Sequence, residues 1–150
     1  MIIVAAEDPT SSDAYMLMAE LSATLAMITG DSGNSSFDPS DVRVPNALFV
    51  VARDSQGRAI GCGAFRPLTD GVAELKRMYS RPGNPGTGSA LLAFLEAAAK
   101  AMQYQALWLE TRLINKQAVR FYEQRAYKII PNFGKYAGNN NAVCFEKRLT

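Results

Sequence analysis

The chain contains no histidine, which removes Ser-His-Asp triads, Cys-His pairs, histidine zinc sites and any imidazole base. Acid and base work falls to Glu, Asp, Tyr, Lys or Cys. Two cysteines, Cys62 and Cys144, are too few for a disulfide framework or a metal knuckle, so no metal is expected, and both sit in strand-like segments as small apolar residues. The longest apolar runs are short, for example residues 47 to 52, whereas a membrane helix needs about 20 residues. No membrane association is expected. The first residues, MIIVAAEDP, carry no basic segment ahead of a longer apolar stretch, so a cytoplasmic address is expected. Strong single-sign charge is also missing: the formal net charge is +2, too small for a dedicated nucleic-acid binder.

What is present is ordinary globular material in 150 residues, the size of one domain, spanning 1 to 150. The small net charge hides an asymmetry. Residues 1 to 50 carry seven acidic and one basic side chain, a net of −6, and residues 51 to 150 carry seven acidic and fifteen basic, a net of +8. That pattern suits an anionic cofactor on the second part and a cationic substrate on the first.

The order of elements follows from periodicity and breakers. A strand over residues 2 to 6 is broken by Glu7-Asp8-Pro9, and Ala14, Met18, Leu21, Leu25 and Ile28 then recur at helical spacing until Gly30. Residues 31 to 45 are rich in turn formers and read as a long loop, with room for one helical turn after Asp38-Pro39. Strand-like runs over 47 to 53, 59 to 66 and 72 to 80 form an antiparallel meander. The remaining pattern is helix (89 to 102), strand (106 to 110), helix (116 to 125), strand (127 to 130) and strand (142 to 149). This is an α+β domain.

The loop Gly83-Asn84-Pro85-Gly86-Thr87-Gly88 lies between a strand and a helix, where free N–H groups and the positive dipole end make an anion site. Alone, it reads equally as a flexible connector. No Lys-Ser/Thr pair follows it, which excludes a nucleoside-triphosphate loop, and Leu91 stands where a dinucleotide-binding turn needs its third glycine.

Together with Glu74 to Tyr127 (ELKRMYSRP, GNPGTGSALL, LETRLINKQAVRFYEQRAY), the loop resembles the GCN5-related N-acetyltransferase (GNAT) superfamily. Gly83, Gly86 and Gly88 occupy the fixed positions of the family loop Gln/Arg-x-x-Gly-x-Gly/Ala, and Asn115-x-x-Ala118-x-x-Phe121-Tyr122-Glu123 followed by Ala126-Tyr127 matches its later motif. Three departures stand out: Gly83 replaces Gln or Arg in a shortened loop, Pro85 lacks an N–H, and Ala126 replaces a glycine expected in left-handed conformation.

The resemblance implies a mixed, mostly antiparallel central sheet with flanking helices and a V-shaped splay between its two central strands. It implies acetyl-coenzyme A as co-substrate and a primary amine as acceptor, with direct attack in a ternary complex. Backbone groups of Met78, Tyr79 and Ser80 would pair with the pantetheine arm, Asn115 and Ala118 would flank it, and Gly83, Asn84, Gly86, Thr87, Gly88 and Ser89 would cradle the diphosphate. Asn115 reads equally as a helix N-cap. Tyr122 matches the family's acid beside the sulfur and also contacts the cofactor, and Glu74 matches the base of the histone-acetyltransferase branch, with Glu110 in reserve. A homodimer, common in the family, is expected on the resemblance alone. A protein amino group as acceptor and a coenzyme A binding module without turnover are the competing readings. Acceptor choice is expected to rest on loops 31 to 45 and 131 to 141.

Overall fold

The structure is a computed structural model describing residues 1–150. A four-residue strand, β1 (Ile3–Ala6), precedes α1 (Ser12–Thr29), whose start is capped by the Ser11 hydroxyl accepting the Ala14 N–H and whose end is the left-handed Gly30. The following loop holds two single 3-10 turns, Asn34–Ser36 and Pro39–Val42. The second opens with a reciprocal capping box between Asp38 and Asp41, at the place the Asp38-Pro39 pair indicates. The meander is β2 (Leu48–Arg53), β3 (Ala59–Thr69) and β4 (Val72–Ser80). β3 runs to Thr69 instead of Arg66, so the turn narrows to Asp70-Gly71, with Gly71 at φ 73°. Then come α2 (Thr87–Ala101), β5 (Ala106–Arg112), α3 (Lys116–Glu123), β6 (Lys128–Ile130) and β7 (Ala142–Arg148). Helix α2 starts two residues before the expected Ser89, and β5 ends two after the expected Glu110.

The seven strands form one sheet in the order β1-β2-β3-β4-β5-β7-β6. Every pairing is antiparallel except β4 with β5, which run parallel over Val72–Glu74 against Ala106–Trp108 only. Beyond that short zip the two strands diverge into the expected V. Across β3 the register shifts between Cys62 and Ala64, so that Arg77 and Met78 both face Gly63. Arg77 takes up the extra residue at φ 56°. Such a bulge re-aims side chains at a functional edge.

Both faces of the sheet are covered, which explains why β2 is one continuous apolar run instead of an alternating one. Val50 and Ala52 pack with Leu91, Leu92, Leu95 and Ala99 of α2 and with Phe65, Leu107 and Phe145. Phe49 and Val51 point the other way, onto Ala14 and Leu17 of α1, with Cys62 and Ala64. No helix is long and apolar enough to cross a membrane.

Candidate active site

The splay opens into a cavity of about 510 Å³, walled by β4 and β5, by α1 and the loop behind it, by the start of α3, and by the 3-10 turn Gly134–Tyr136. Met78, Tyr79, Ser80, Gly88, Asn115, Ala118 and Tyr122 all line it. The edges of β4 after Glu74 and of β5 after Trp108 have no strand partner across the gap, so an extended chain can be added there by main-chain hydrogen bonds.

Tyr122 is fixed by the end of its own helix. The Tyr127 N–H donates to the Tyr122 carbonyl and the Ala126 N–H to the Glu123 carbonyl, a Schellman closure with Ala126 in left-handed conformation at φ 69°. The rings of Tyr122 and Tyr127 meet edge to face at 5.4 Å, supplying the apolar contact of that motif, and Phe121 meets Tyr122 at 5.1 Å. The Tyr122 hydroxyl has no partner within the protein, although its ring is buried. Burial pushes the phenol well above its usual range, so it keeps its proton at neutral pH.

The Asn115 side chain does cap α3, its Oδ1 accepting the Ala118 N–H at 3.3 Å, while its Nδ2 is free at the cavity wall. At the head of α2 the glycine loop is knotted by Asn84, whose Nδ2 donates to the Arg81 and Pro82 carbonyls. Gly83 and Gly86 are both left-handed, at φ 81° and 86°. Thr87 is fully buried with its hydroxyl donating to the Asn84 carbonyl, and the Ser89 hydroxyl accepts from Arg125. The side chains of Asn84, Thr87 and Ser89 are therefore engaged inside the protein. Gly83, Asn84, Gly86, Thr87 and Ser89 lie outside the cavity wall. What this loop offers a ligand is backbone: the N–H groups of Gly88 and Ser89 have no backbone acceptor. Lys116 and Arg120 of α3 and Arg125 just beyond its end border the adjacent cleft, and none has a carboxylate partner. An unpaired strand edge, free helix-start N–H groups and unpaired cations fit a pantetheine arm with its diphosphate.

The two candidate bases are placed differently from one another. Glu74 is not an exposed strand residue and does not line the cavity: it is 2% exposed. Its Oε1 accepts from Arg66 Nε and Nη2 at 3.2 and 3.1 Å, its Oε2 accepts from the Tyr136 hydroxyl at 3.3 Å, and Lys76 Nζ lies 3.9 Å away. Glu110 stands on the cavity wall with Oε2 bonded to Arg112 and Oε1 unpartnered. Desolvation, outweighing the pull of Arg112 and Lys76, raises its pKa. Lys76, also on the wall, donates to the Tyr136 hydroxyl at 3.1 Å, and burial lowers its pKa.

The acidic first third does not line the cavity either. Glu7 and Asp13 pair with Arg53, Asp8 with Arg43, Glu20 with Arg81 and Asp41 with Arg66, leaving Asp31 alone on the wall. The charge asymmetry along the chain is largely taken up by ion pairs, most of them between its two parts, and gives the cavity no unpaired acid. The cysteines are buried and free, neither lines the cavity, and burial pushes the Cys62 thiol up to about 12 and raises that of Cys144. Loops 31 to 45 and 131 to 141 do contribute wall residues, among them Gly33, Ser36 and Tyr136. Sequence reasoning missed Arg77, Lys76 and Tyr136; for Arg77 the only signal was the paired Lys76-Arg77 inside a strand.

Residues 15–127 match the model of the acetyltransferase (GNAT) family. The chain belongs to the GNAT family. It is 30% identical over 151 residues to an IAA acetyltransferase of Azospirillum brasilense, covering 99% of this chain and 98% of that one. It is also similar to the crystal structure of a Klebsiella pneumoniae protein assigned as an acyl-CoA N-acyltransferase: 29% identity, TM-score 0.84, with 100% and 99% of the two chains covered. An aminoglycoside 6'-acetyltransferase type Ii shares the fold at TM-score 0.67 and 21% identity over 99% and 97% of the chains. Membership in the GNAT family makes this chain an acetyltransferase that uses an acyl-coenzyme A co-substrate.

Proposed function

We propose that the chain transfers acetyl from acetyl-coenzyme A to the primary amine of a small molecule, by direct attack with both substrates bound. The observation that carries this reading is the Tyr122 hydroxyl, fixed by the Schellman closure, free of any protein partner and on the wall of the cavity into which the splay opens. Bound acetyl-coenzyme A would supply an activated acyl carbon and a thiolate leaving group. Met78, Tyr79 and Ser80 would hold the arm through the open β4 edge, with Asn115 Nδ2 and Ala118 on its other side. The N–H groups of Gly88 and Ser89 would take the diphosphate at the α2 start, where Gly83, Asn84, Gly86 and Thr87 set the backbone path. Tyr122 holds the proton that the departing sulfur takes.

A lysine-like amine is about one part in two thousand neutral at pH 7, so deprotonation costs roughly 4 to 5 kcal/mol and a base is useful. We place that role on Glu110 in preference to Glu74. Both oxygens of Glu74 are already bonded and it meets the cavity only through Tyr136 and Lys76, whereas Glu110 presents a free Oε1 and a raised pKa. A carboxylate moved toward neutrality is the better proton acceptor. Glu110 takes one proton from the ammonium, the new C–N bond forms as the C–S bond breaks, Tyr122 gives its proton to sulfur, and the second proton shed by nitrogen restores the Tyr122 hydroxyl. Walls contributed by α1 and the turn Gly134–Tyr136 on the acceptor side of the cavity support a small acceptor over a protein amino group. Calorimetry with coenzyme A tests the first half: micromolar binding is expected, weakened in Gly88→Val, and a folded protein that takes up no coenzyme A refutes the reading.

A further inference from the structure

Arg77 is the only arginine among the buried residues, with 9% exposure, and it forms no ion pair. Its guanidinium is held by two neutral oxygens on α1: Nη2 donates to the Met18 carbonyl at 2.9 Å and to the Ser22 hydroxyl at 2.5 Å. Ser22 in turn donates to Asn34 Oδ1 at 2.8 Å, which ties the group to the loop behind α1. Nε is fully buried and unpartnered. Nη1 has no hydrogen bond yet keeps solvent access, and a β-carbon at Gly33, a residue of the cavity wall, would come within 3.3 Å of it. A buried cation without a counter-ion is costly, and removing a partner from such a group typically costs several kcal/mol. Arg77 sits in this state permanently, held by the bulge at φ 56°.

The rest of the cavity wall points the same way. Its two acids face a cation already present: Glu110 bonds Arg112 Nη1, and Asp31 lies 3.7 Å from Arg112 Nη2. Lys76 has Tyr136 and Glu74. Arg77 and the exposed Lys135 are the cations left without a carboxylate, and no acid on the wall is left without a cation. Leu21, Leu25 and Ile28 of α1 give the same part of the wall an apolar surface.

We propose that Arg77 Nη1 is an anion subsite for the acceptor, so that the amine acetylated by this chain carries a carboxylate and an apolar body, in the manner of an amino acid. The proposal rests on the acetyltransferase reading above. It replaces the cationic acceptor that the charge distribution along the sequence suggests. A carboxylate is favoured over a phosphate because the subsite offers one guanidinium end in otherwise neutral surroundings.

The test compares matched amines that differ only at the far end: leucine with leucinol, and γ-aminobutyrate with aminobutanol and putrescine. Acetylation is followed by thiol release, and binding to the coenzyme A complex by calorimetry. The carboxylate member of at least one set is expected to be preferred by about tenfold or more in kcat/KM, through KM, as for a hydrogen bond to a charged group. In Arg77→Met the preference is expected to collapse toward one, and in Arg77→Lys to return in part. Equal or inverted preference in wild-type protein, no binding of either carboxylate at millimolar concentration, or a preference that survives Arg77→Met overturns the proposal and returns Arg77 to tying α1 to the sheet. Failure to bind coenzyme A at all refutes the acetyltransferase reading instead, and that measurement is made first.

Discussion

Replacing Tyr122 by Phe separates the two things this residue does. The ring is packed edge to face on Phe121 and Tyr127 and against Phe145, and all of that survives the substitution. The hydroxyl has no protein partner, so no intramolecular hydrogen bond is lost, and stability should stay within about 0.5 kcal/mol of wild type. Affinity for coenzyme A should change little, since the backbone groups that hold the arm are untouched. Turnover should fall. General acid catalysis contributes about 10²- to 10⁴-fold, but a thiol with a pKa near 8.5 is already a fair leaving group, so a loss of about 10- to 100-fold is expected, or roughly 1.4 to 2.7 kcal/mol. The assay is single-turnover acetyl transfer under conditions where chemistry limits the rate, with thermal unfolding and calorimetry on the same preparation. Wild-type turnover in Tyr122→Phe would refute the acid assignment, and a large loss of stability would refute the claim that the hydroxyl is unpartnered.

Ala126→Gly removes a β-carbon from a left-handed position, a strain of about 1 kcal/mol, partly offset by the greater freedom of glycine in the unfolded chain. A net gain of at most about 0.6 kcal/mol, or roughly 1 to 2 °C in Tm for a domain of this size, should appear by calorimetry. Gly88→Ala brings a β-carbon to 2.9 Å from the Phe121 ring, which Arg125 covers at 3.8 Å, so α2 and α3 must separate. A loss of about 1 to 3 kcal/mol and weaker coenzyme A binding are expected from unfolding and titration curves. Glu110→Gln should lower kcat/KM at pH 7 and recover in part at high pH, where neutral amine is abundant; Glu74→Gln should instead lower stability by exposing a buried Arg66 and Tyr136 pairing. Because the folded pKa of Glu110 is raised above 4.5, wild type loses stability as pH rises through that folded value. Glu110→Gln should therefore match or exceed wild-type Tm at pH 7, and the difference should vanish below about pH 4 in a pH series.

Much of this architecture was legible because local signals agreed with it. Ser11, Gly30 and Gly71 mark ends and turns where they stand, and the two motif segments flanking α2 and α3 carry the family. Ala126 occupies the left-handed backbone expected of a glycine. What was not legible depends on how the strands pair. The bulge opposite Gly63 adds one residue to β4 and places Arg77 against α1, and no residue type in KRMYS announces it. Glu74 reads as a strand carboxylate facing Lys76, but Arg66 arrives from β3 and Tyr136 from the turn before β7, burying it. The acidic first third gives no guide to the acceptor for the same reason, since each of its carboxylates but Asp38 finds an arginine. Asp38 spends its side chain on Ser40.

The most direct measurement of the central claim is amine-dependent release of thiol from acetyl-coenzyme A, with the acetylated product weighed by mass spectrometry. One equivalent of acetamide product per thiol, with at least one small primary amine and a strong loss in Tyr122→Phe, is the expected result. Folded protein that binds coenzyme A but releases no thiol above the solvent rate with any amine would contradict the account and identify a coenzyme A binding module without turnover.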